Sequence, residues 1–345
     1  MMGKKIAFIG GSITAGSVAS SDELCYAHFV YEGLCKLLGQ SSDEVRYINA
    51  GIGGTTSQFG AARVASDVLQ YKPDLVFVEF SVNDDDSYFF LECYEGLIRQ
   101  IMLDENKPKI VLIHNLFYDT GANAQRIHKF LGDYYGLLCI SIRDYIYPRL
   151  QNGVLNVNDL TSDMLHPNDM GHRLVSDIII DELKKYVDEN DGFNKIPDAV
   201  VNKAITSNTY ESVKYWNALN SNPKLEGFKV DSAEKLSVQD VFKKGFIGRK
   251  NGDKISFELK STKSIAIQYR KTINRPAPVA RASVDGIEIY TVELDGNFEE
   301  EWGDCLYIQT LPFPLSEGNH KLEIEIISDD SNLVSDFYLT SILTV

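Results

Sequence analysis

The sequence predicts an α/β domain built on a parallel sheet, followed by an all-β domain. In the first half of the chain, short apolar runs rich in β-branched residues alternate with amphipathic stretches of helical length. In the second half, short runs of alternating apolar and polar residues are separated by turn residues. The length of 345 residues also favours two domains over one. We therefore expect a three-layer α/β/α sandwich with about five parallel strands, and then a β-sandwich.

Five apolar runs of the first half are predicted as strands that are buried on both faces. They are "KIAFIG" (5–10), "VRYINAG" (45–51), "DLVFVEFS" (74–81), "KIVLIHNLF" (109–117) and "LLCISI" (137–142). Helices are predicted over 26–38, 58–71, 88–104, 122–135 and 168–187. Because strands and helices alternate, the strands should run parallel and be joined by crossover helices. A ligand then belongs beyond the carboxyl ends of the strands, where the connecting loops gather.

The character of the sequence changes after residue 190. We assign residues 1–190 to the α/β domain, 191–226 to a polar linking segment and 227–345 to the β-sandwich. Strands are predicted for "DKISFELK" (253–260), "SIAIQYRK" (264–271), "ARASVDG" (280–286), "IEIYTVELDG" (287–296), "CLYIQTLPF" (305–313), "HKLEIEII" (320–327) and "FYLTSILTV" (337–345). Turn residues at 251–253 and 285–286 fit hairpin connections between such strands.

Composition limits the partners that the protein can have. The 34 basic and 49 acidic side chains give a net charge of −15, so nucleic acid and anionic membranes are poor partners and a neutral substrate fits better. Five scattered cysteines without a C-x-x-C pair indicate reduced thiols in a cytoplasmic protein. No cluster of histidine, cysteine and carboxylate residues has the spacing of metal ligands, so neither a metal nor another cofactor is expected. The sequence is compatible with a monomer or a homo-oligomer.

The glycine-rich turn "FIGGSITAGS" (8–17) after the first strand fits three kinds of site. As a dinucleotide turn it has the wrong glycine spacing, and no acidic residue ends the second strand. As a phosphate loop it has Gly11 and Gly16 in place, but Ser17 stands where the phosphate-binding lysine belongs. The third interpretation makes Ser12 a nucleophile at the carboxyl edge of the sheet, which requires a base and oxyanion donors elsewhere.

Three further stretches supply these partners. In "NAGIGGTTS" (49–57), the glycines allow close backbone approach and can aim a bare N–H into the site. In "SVNDDD" (81–86), the side-chain amide of Asn83 can donate to an oxyanion. In "DMLHPN" (163–168), the spacing of Asp163 and His166 lets the carboxylate hold Nδ1–H of the imidazole while Nε2 faces the serine. Asp159 is the alternative carboxylate if this loop folds differently.

These four stretches, in this order and at these places in the predicted fold, resemble the SGNH (GDSL-like) hydrolase superfamily. The resemblance covers about residues 4–187 and implies a flavodoxin-like α/β/α fold. It also implies that Ser12 is the nucleophile, His166 the general base and then acid, and Asp163 the carboxylate that orients the histidine. The expected activity is therefore ester hydrolysis through an acyl-enzyme.

The resemblance further implies an oxyanion hole built from the backbone N–H groups of Ser12 and Gly54 and the side-chain amide of Asn83. Gly54 is preferred over its glycine neighbour because it stands directly before the "x-T-S" portion of the motif. Two positions depart from the family pattern: Gly11 stands where the family has aspartate, and Ser81 where it has glycine. Neither departure removes a catalytic group, so we expect an active enzyme.

Both halves together resemble bacterial carbohydrate acetylesterases with a carbohydrate-binding-like β-sandwich at the C-terminus. This implies a serine esterase that removes acetyl groups from mannan or xylan oligosaccharides. Lysophospholipase, acyl thioesterase and acyltransferase activities of the same superfamily are the alternatives, and a catalytically silent glycan-binding protein is the non-enzymatic one. Trp302 is either a core residue of the sandwich or a platform for a sugar ring. Asp84 is assigned, with its loop, to the mouth of the substrate site.

Overall fold

The computed structural model of the chain describes residues 4–311, 314–328 and 331–345. The chain divides into two compact units, Met1–Glu211 and Ser212–Val345. The first unit contains a parallel sheet with helices, and the second contains antiparallel sheets. The predicted fold class, an α/β domain followed by an all-β domain, is confirmed.

The first unit alternates strands and helices as the hydrophobic pattern predicts. Its strands are β1 (Lys5–Gly10), β2 (Arg46–Gly51), β3 (Leu75–Glu79), β4 (Lys109–His114) and β5 (Leu138–Ser141). Its helices are α1 (Ser12–Ala15), α2 (Tyr26–Leu37), α3 (Ser57–Asp67), α4 (Tyr88–Met102), α5 (Gln125–Tyr135), α6 (Ile142–Gln151) and α7 (Asp169–Leu183). Short 3₁₀ helices cover Asp22–Leu24, Ser42–Glu44, Leu69–Tyr71, Val157–Asp159 and Thr209–Ser212.

The five strands form one parallel sheet in the order β2-β1-β3-β4-β5. Every residue of β3 is buried, as expected for a central strand that helices cover on both faces. The strand order reverses at β1, whose neighbours are β2 and β3, so the crevice for a ligand lies at the carboxyl end of this strand. Parallel pairing sets Gly10 of β1 level with Gly51 of β2 and Glu79 of β3.

Two helices of the first unit were not predicted. The short α1 begins at Ser12, directly after the glycine pair that ends β1. The longer α6 follows β5 without a loop, because the hydroxyl of Ser141 accepts a hydrogen bond from the backbone N–H of Asp144 and caps the helix. Pro148 within α6 weakens the helical signal of this segment in the sequence.

The predicted linking segment 191–226 contributes to both units. Its first part packs on the first unit, where the carboxylate of Glu95 accepts hydrogen bonds from the backbone N–H groups of Ile205 and Thr206. The guanidinium of Arg99 donates to the carbonyl of Asn202 in the same region. Its last part joins the second unit as strands Lys214–Trp216 and Lys224–Glu226. Backbone groups of this segment therefore form hydrogen bonds with the helices of the first unit as well as connecting the units.

The second unit is a two-sheet sandwich. Its strands are β6 (Lys214–Trp216), β7 (Lys224–Glu226), β8 (Lys229–Val230), β9 (Phe246–Gly248), β10 (Lys254–Thr262), β11 (Ile265–Lys271), β12 (Val279–Val284), β13 (Ile287–Asp295), β14 (Cys305–Thr310), β15 (Gly318–Ile326) and β16 (Phe337–Thr344). One sheet has the order β13-β12-β15-β10-β7 and the other β14-β11-β16-β9-β8, with β6 beside β16. Residues 312–313 at the end of one predicted strand lie outside the described residues.

Within residues 4–311, 314–328 and 331–345, no helix combines the length and the apolar character needed to cross a membrane. The five cysteines are free thiols, and Cys25, Cys35 and Cys93 are buried. Burial raises the pKa of Cys25 to about 11, so this thiol stays protonated at neutral pH. A cytoplasmic location stays a prediction from the sequence.

Glu79 is a fully buried carboxylate at the carboxyl end of β3. Burial raises its pKa to about 7, although hydrogen bonds from the N–H and the hydroxyl of Ser81 favour the ionised form. Ser81 stands where the family has glycine, and it binds Glu79 through its backbone N–H and its hydroxyl.

We predict that Glu79 makes the protein less stable as the pH rises from about 4.5 to 7. The folded state holds the proton of Glu79 up to about pH 7, whereas the unfolded state releases it near the ordinary glutamate pKa of 4.5. Since the folded state then binds more protons, the free energy of unfolding falls across this window, by on the order of 3 kcal/mol in total. Glu79→Gln should remove this loss and still accept a hydrogen bond from Ser81.

Urea denaturation of both proteins at pH 5 and pH 8 measures this effect. Glu79→Gln should gain stability relative to the unchanged protein at pH 8 but not at pH 5. Glu105→Gln, which changes an exposed glutamate of the same unit, is the matched control and should show equal effects at both pH values. An equal stability change by Glu79→Gln at both pH values would contradict the prediction.

Candidate active site

The turn after β1 brings Ser12 to the carboxyl edge of the sheet through close backbone contacts. A Cβ atom on Gly10 would overlap the carbonyl oxygen of Glu79 and the hydroxyl of Thr14. A Cβ atom on Gly51, at the end of the neighbouring strand, would overlap the backbone of α1. Glycine is therefore required at both strand ends so that α1, which begins at Ser12, can lie against them.

Ser12, His166 and Asp163 form a chain of hydrogen bonds. The Oγ of Ser12 lies 2.8 Å from Nε2 of His166, and Nδ1 of His166 lies 2.7 Å from Oδ2 of Asp163. The carboxylate of Asp163 can only accept, so Nδ1 carries the hydrogen and Nε2 of the neutral ring accepts from the serine hydroxyl. Asp163 occupies the position beside His166, and the alternative Asp159 instead contacts the side chain of Asn156.

The loop around Asp163 holds its carboxylate ionised. Burial alone would raise the pKa of Asp163, but hydrogen bonds from the ring and the backbone N–H of His166 and from the N–H of Leu165 lower it to about 2. The loop wraps the carboxylate because Met164 adopts a left-handed conformation with φ of 65°. The carbonyl of Met164 accepts a hydrogen bond from the N–H of Tyr118.

Helix α7 is tied to the loop that follows Ser12. The carboxylate of Asp169 accepts hydrogen bonds from the N–H and the hydroxyl of Ser20. Nδ1 of His172 accepts from the N–H of Tyr26, and its Nε2–H donates to the carbonyl of Ser17. Burial lowers the pKa of His172 to about 4, which keeps the ring neutral for these two bonds. His172 therefore ties α7 to the start of α2 and to the loop that follows Ser12.

Asn83 faces the turn that carries Ser12. A Cβ atom on Gly11 would overlap Oδ1 of Asn83, so the amide lies directly against the backbone before the serine. The backbone N–H of Asn83 donates to the carbonyl of Phe80, which fixes the turn after β3. Gly11 stands where the family has aspartate, and because glycine has no side chain it leaves room for the amide of Asn83.

The glycine turn after β2 borders the same place. A Cβ atom on Gly53 would lie 3.8 Å from the Cβ of Ser12, and both Gly53 and Gly54 are exposed. Gly54 has φ of 68° with open space beside it, so backbone conformation alone requires glycine there. The structure therefore joins Ser12, His166 and Asp163 by hydrogen bonds and sets Asn83 and Gly53 beside the turn that carries Ser12, while the oxyanion role of Gly54 stays a prediction.

The predicted placement of Asp84 at the mouth of the site is wrong. Its side chain is fully buried, and its two oxygens bind the N–H of Ser57 at 2.9 Å and Nε2 of His128 at 3.0 Å. The preceding residue Asn83 faces the site, so the next side chain in this tight turn points into the protein instead. The two following carboxylates, of Asp85 and Asp86, are exposed.

Trp302 lies on the surface of the second unit with 61% of its area exposed. Its ring packs edge-on against Phe298 at 4.9 Å, and its Nε1–H donates to the carboxylate of Glu300. Of the two interpretations of this residue, the structure therefore agrees with an exposed ring rather than a core residue.

The sequence patterns did not predict a role for Arg63, whose side chain binds backbone carbonyls at the strand ends beside the site. This guanidinium is buried and donates to the carbonyls of Ala50 and Gly10, at the ends of β2 and β1. Arg63 also forms an ion pair with Asp67 at the i,i+4 spacing of α3. That spacing is typical of a solvated helix face, so the sequence carries no signal for burial. Within the described parts of the chain, no group of three or more histidine, cysteine or acidic side chains is arranged to hold a metal ion.

Several known proteins are similar to this chain. Residues 8–174 match the model of the GDSL-like lipase/acylhydrolase family. A two-domain esterase active on acetylated mannans, known from its crystal structure, is 41% identical to this chain and superposes with a TM-score of 0.91. The match covers 99% of this chain and 91% of that one. The same kind of esterase co-crystallised with mannopentaose matches equally well, with a TM-score of 0.91, 41% identity and coverage of 99% and 90%.

An acetylxylan esterase of Geobacillus stearothermophilus is a more distant relative. It is 24% identical over an alignment of 213 positions, which covers 52% of this chain and 94% of the relative. The family match thus falls on the first unit, and the match to the two-domain esterase extends over both units. This chain belongs to the GDSL-like lipase/acylhydrolase family and is a carboxylic ester hydrolase.

Proposed function

We propose that the protein is a serine esterase that removes acetyl groups from mannan oligosaccharides, with acetylated xylan as a second substrate. The observation that carries this proposal is the hydrogen-bonded chain from the Oγ of Ser12 through His166 to Asp163. It supplies a nucleophile, a base and an orienting carboxylate within hydrogen-bond reach. The relative active on acetylated mannans, which matches both units, supports the choice of substrate.

In the first half of the reaction, Ser12 becomes acetylated. Its Oγ forms a bond to the acetyl carbonyl carbon while Nε2 of His166 takes the hydroxyl proton. The tetrahedral intermediate then expels the sugar oxygen, which receives the same proton from His166 and leaves as an alcohol. Asp163, with its pKa lowered to about 2, stays ionised and stabilises the imidazolium that forms in between.

In the second half, water releases acetate by the same route. His166 takes a proton from water as the oxygen attacks the acetyl carbon, and it returns that proton to Oγ of Ser12. The side chain of His166 is 21% exposed, so water can approach it from solvent.

Negative charge on the carbonyl oxygen requires donors that are fixed in advance. We assign this role to the backbone N–H groups of Ser12 and Gly54 and to the side-chain amide of Asn83. Their support is the position of Asn83 against Gly11 and the open, left-handed turn at Gly54. Such donors act mainly in the transition state, where the charge develops.

We assign to Trp302 a contact with the sugar chain. The support is its exposed ring, since aromatic faces bind the apolar faces of sugar rings, and the hydrogen bond with Glu300 fixes the orientation of that ring. The assignment concerns binding of the oligosaccharide and not the chemistry of ester cleavage.

We predict that Ser12→Ala lowers hydrolysis of 4-nitrophenyl acetate by at least about 10³-fold, because the variant has no nucleophile. An organophosphate should label the unchanged protein once, at Ser12, and leave the variant unlabelled. Ser17→Ala changes a serine of the same loop whose described hydrogen bonds are made by its backbone, and it should retain activity. Full activity of a folded Ser12→Ala protein would refute the mechanism.

We predict that acetylated mannan oligosaccharides lose their acetyl groups faster than acetylated xylan oligosaccharides. NMR spectra before and after treatment give the rate and the position of each loss.

Trp302→Ala should slow the reaction on mannan oligosaccharides while 4-nitrophenyl acetate is cleaved at the original rate. A preference for long-chain over acetyl nitrophenyl esters would favour the lipase-like alternatives, and equal slowing of both substrates by Trp302→Ala would refute the sugar contact.

We predict that Gly11→Ala impairs catalysis by displacing the amide of Asn83. Asn83→Ala should lower kcat by about 10² to 10³-fold, the usual effect of one lost oxyanion donor. Gly11→Ala should also lower kcat. The melting temperature should change little, because the new Cβ meets only the end of the Asn83 side chain and, at an ordinary contact distance, the carbonyl oxygen of Thr55. The double variant should be no slower than Asn83→Ala alone. Additive losses would show that Gly11 acts by another route.

A further inference from the structure

Asp84 and His128 form a buried pair that the proposed chemistry does not use. Both side chains are fully buried, and Oδ2 of Asp84 lies 3.0 Å from Nε2 of His128. The pair joins the turn after β3 to the first half of α5. A buried carboxylate is costly unless it is hydrogen-bonded on its several acceptor sites, so the structure must supply donors to it.

The second oxygen of Asp84 connects two loops of the site. Oδ1 accepts a hydrogen bond from the backbone N–H of Ser57 at 2.9 Å. Ser57 is the first residue of α3 and directly follows the turn that contains Gly54. Asp84 itself directly follows Asn83, and the backbone N–H groups of both residues donate to the carbonyl of Phe80. One carboxylate thus fixes the distance between the two loops that carry proposed oxyanion donors.

His128 is itself held in one orientation. Its ring stacks on Tyr94 with 3.6 Å between the centroids and 8° between the planes. Nδ1 of His128 has no hydrogen-bond partner in the described part of the chain. The carboxylate of Asp84 can only accept, so Nε2 of His128 carries a hydrogen. This Nε2–H donates to Asp84.

We propose that His128 and Asp84 are positioning residues for the oxyanion hole: they set the separation between the amide of Asn83 and the glycine turn that contains Gly54. The inference rests on the proposed function. Oxyanion donors must lie at hydrogen-bond distance from an oxygen that moves during the reaction. A small displacement of a donor therefore reduces stabilisation of the transition state more than it reduces the affinity for the substrate. Loss of this pair should therefore reduce kcat more than it changes KM.

His128→Phe tests the proposal because phenylalanine can still stack on Tyr94 but cannot donate to Asp84. We expect kcat for 4-nitrophenyl acetate, per active site titrated with an organophosphate, to fall about tenfold while KM changes less than twofold. Affinity for a boronic acid that forms a tetrahedral adduct on Ser12 should fall by the same factor as kcat. His128→Gln, whose side-chain amide can donate to Asp84, should recover most of the loss.

His114→Phe is the matched control. His114 is a buried histidine at the end of β4, its ring centroid lies 6.2 Å from that of His128, and it has no hydrogen bond to Asp84. This variant alters the same interior without touching the carboxylate. Its kcat should stay within twofold of the unchanged protein, even if its melting temperature falls.

A double-mutant cycle with Asn83→Ala tests the route by which His128 acts. If His128 acts through the placement of Asn83, His128→Phe should lower kcat less than twofold when Asn83 is already alanine. Equal losses in both backgrounds, an unchanged kcat of His128→Phe, or a loss of kcat equal to that of His114→Phe would overturn the proposal. Retained activity of Ser12→Ala would instead refute the proposed function itself, so the two failures are distinguishable.

Discussion

The site depends on the register of three parallel strands. Because β1 pairs with both β2 and β3, Gly10, Gly51 and Glu79 lie side by side at one level of the sheet. The loops that follow these residues therefore leave the sheet from the same edge. If either pairing shifted by one residue, the side chains of the shifted strand would move to the opposite face of the sheet, and the loops after the strand ends would no longer lie side by side. The positions of Ser12, the glycine turn and Asn83 are thus consequences of backbone hydrogen bonding before any side chain is considered.

The same edge is unusually rich in buried charge. The side chains of Glu79, Arg63 and Asp84 are all buried near the loops, and each forms hydrogen bonds with backbone groups of the site: the N–H of Ser81, the carbonyls at the ends of β1 and β2, and the N–H of Ser57. Burial of such groups costs stability unless every one finds partners. In return, loops that lack regular secondary structure gain fixed anchors, and fixed donors are what stabilisation of a developing charge requires.

Most of the architecture could be predicted from the sequence, because hydrophobic runs mark buried strands and motif residues mark the loops after them. The predicted α2 and the five parallel strands fall within a few residues of their observed bounds. Helix α6 and the packing of residues 191–211 escaped prediction, since Pro148 and a polar composition argue locally for irregular structure while tertiary hydrogen bonds decide otherwise. Asp84 was misplaced for a related reason: adjacent residues of a tight turn point in opposite directions, and only the fold shows which one is buried.

The hydrogen bond between Ser12 and His166 closes a span of 154 residues. Ser12 directly follows the glycine pair at the end of β1, and His166 lies in the loop just before α7. The whole sheet and its crossover helices must form before the two meet, so the reactive pair is one of the most non-local contacts in this unit. An unfolded chain therefore holds a serine without a base near it. The pairing of Ser12 with His166 thus exists only in the folded first unit.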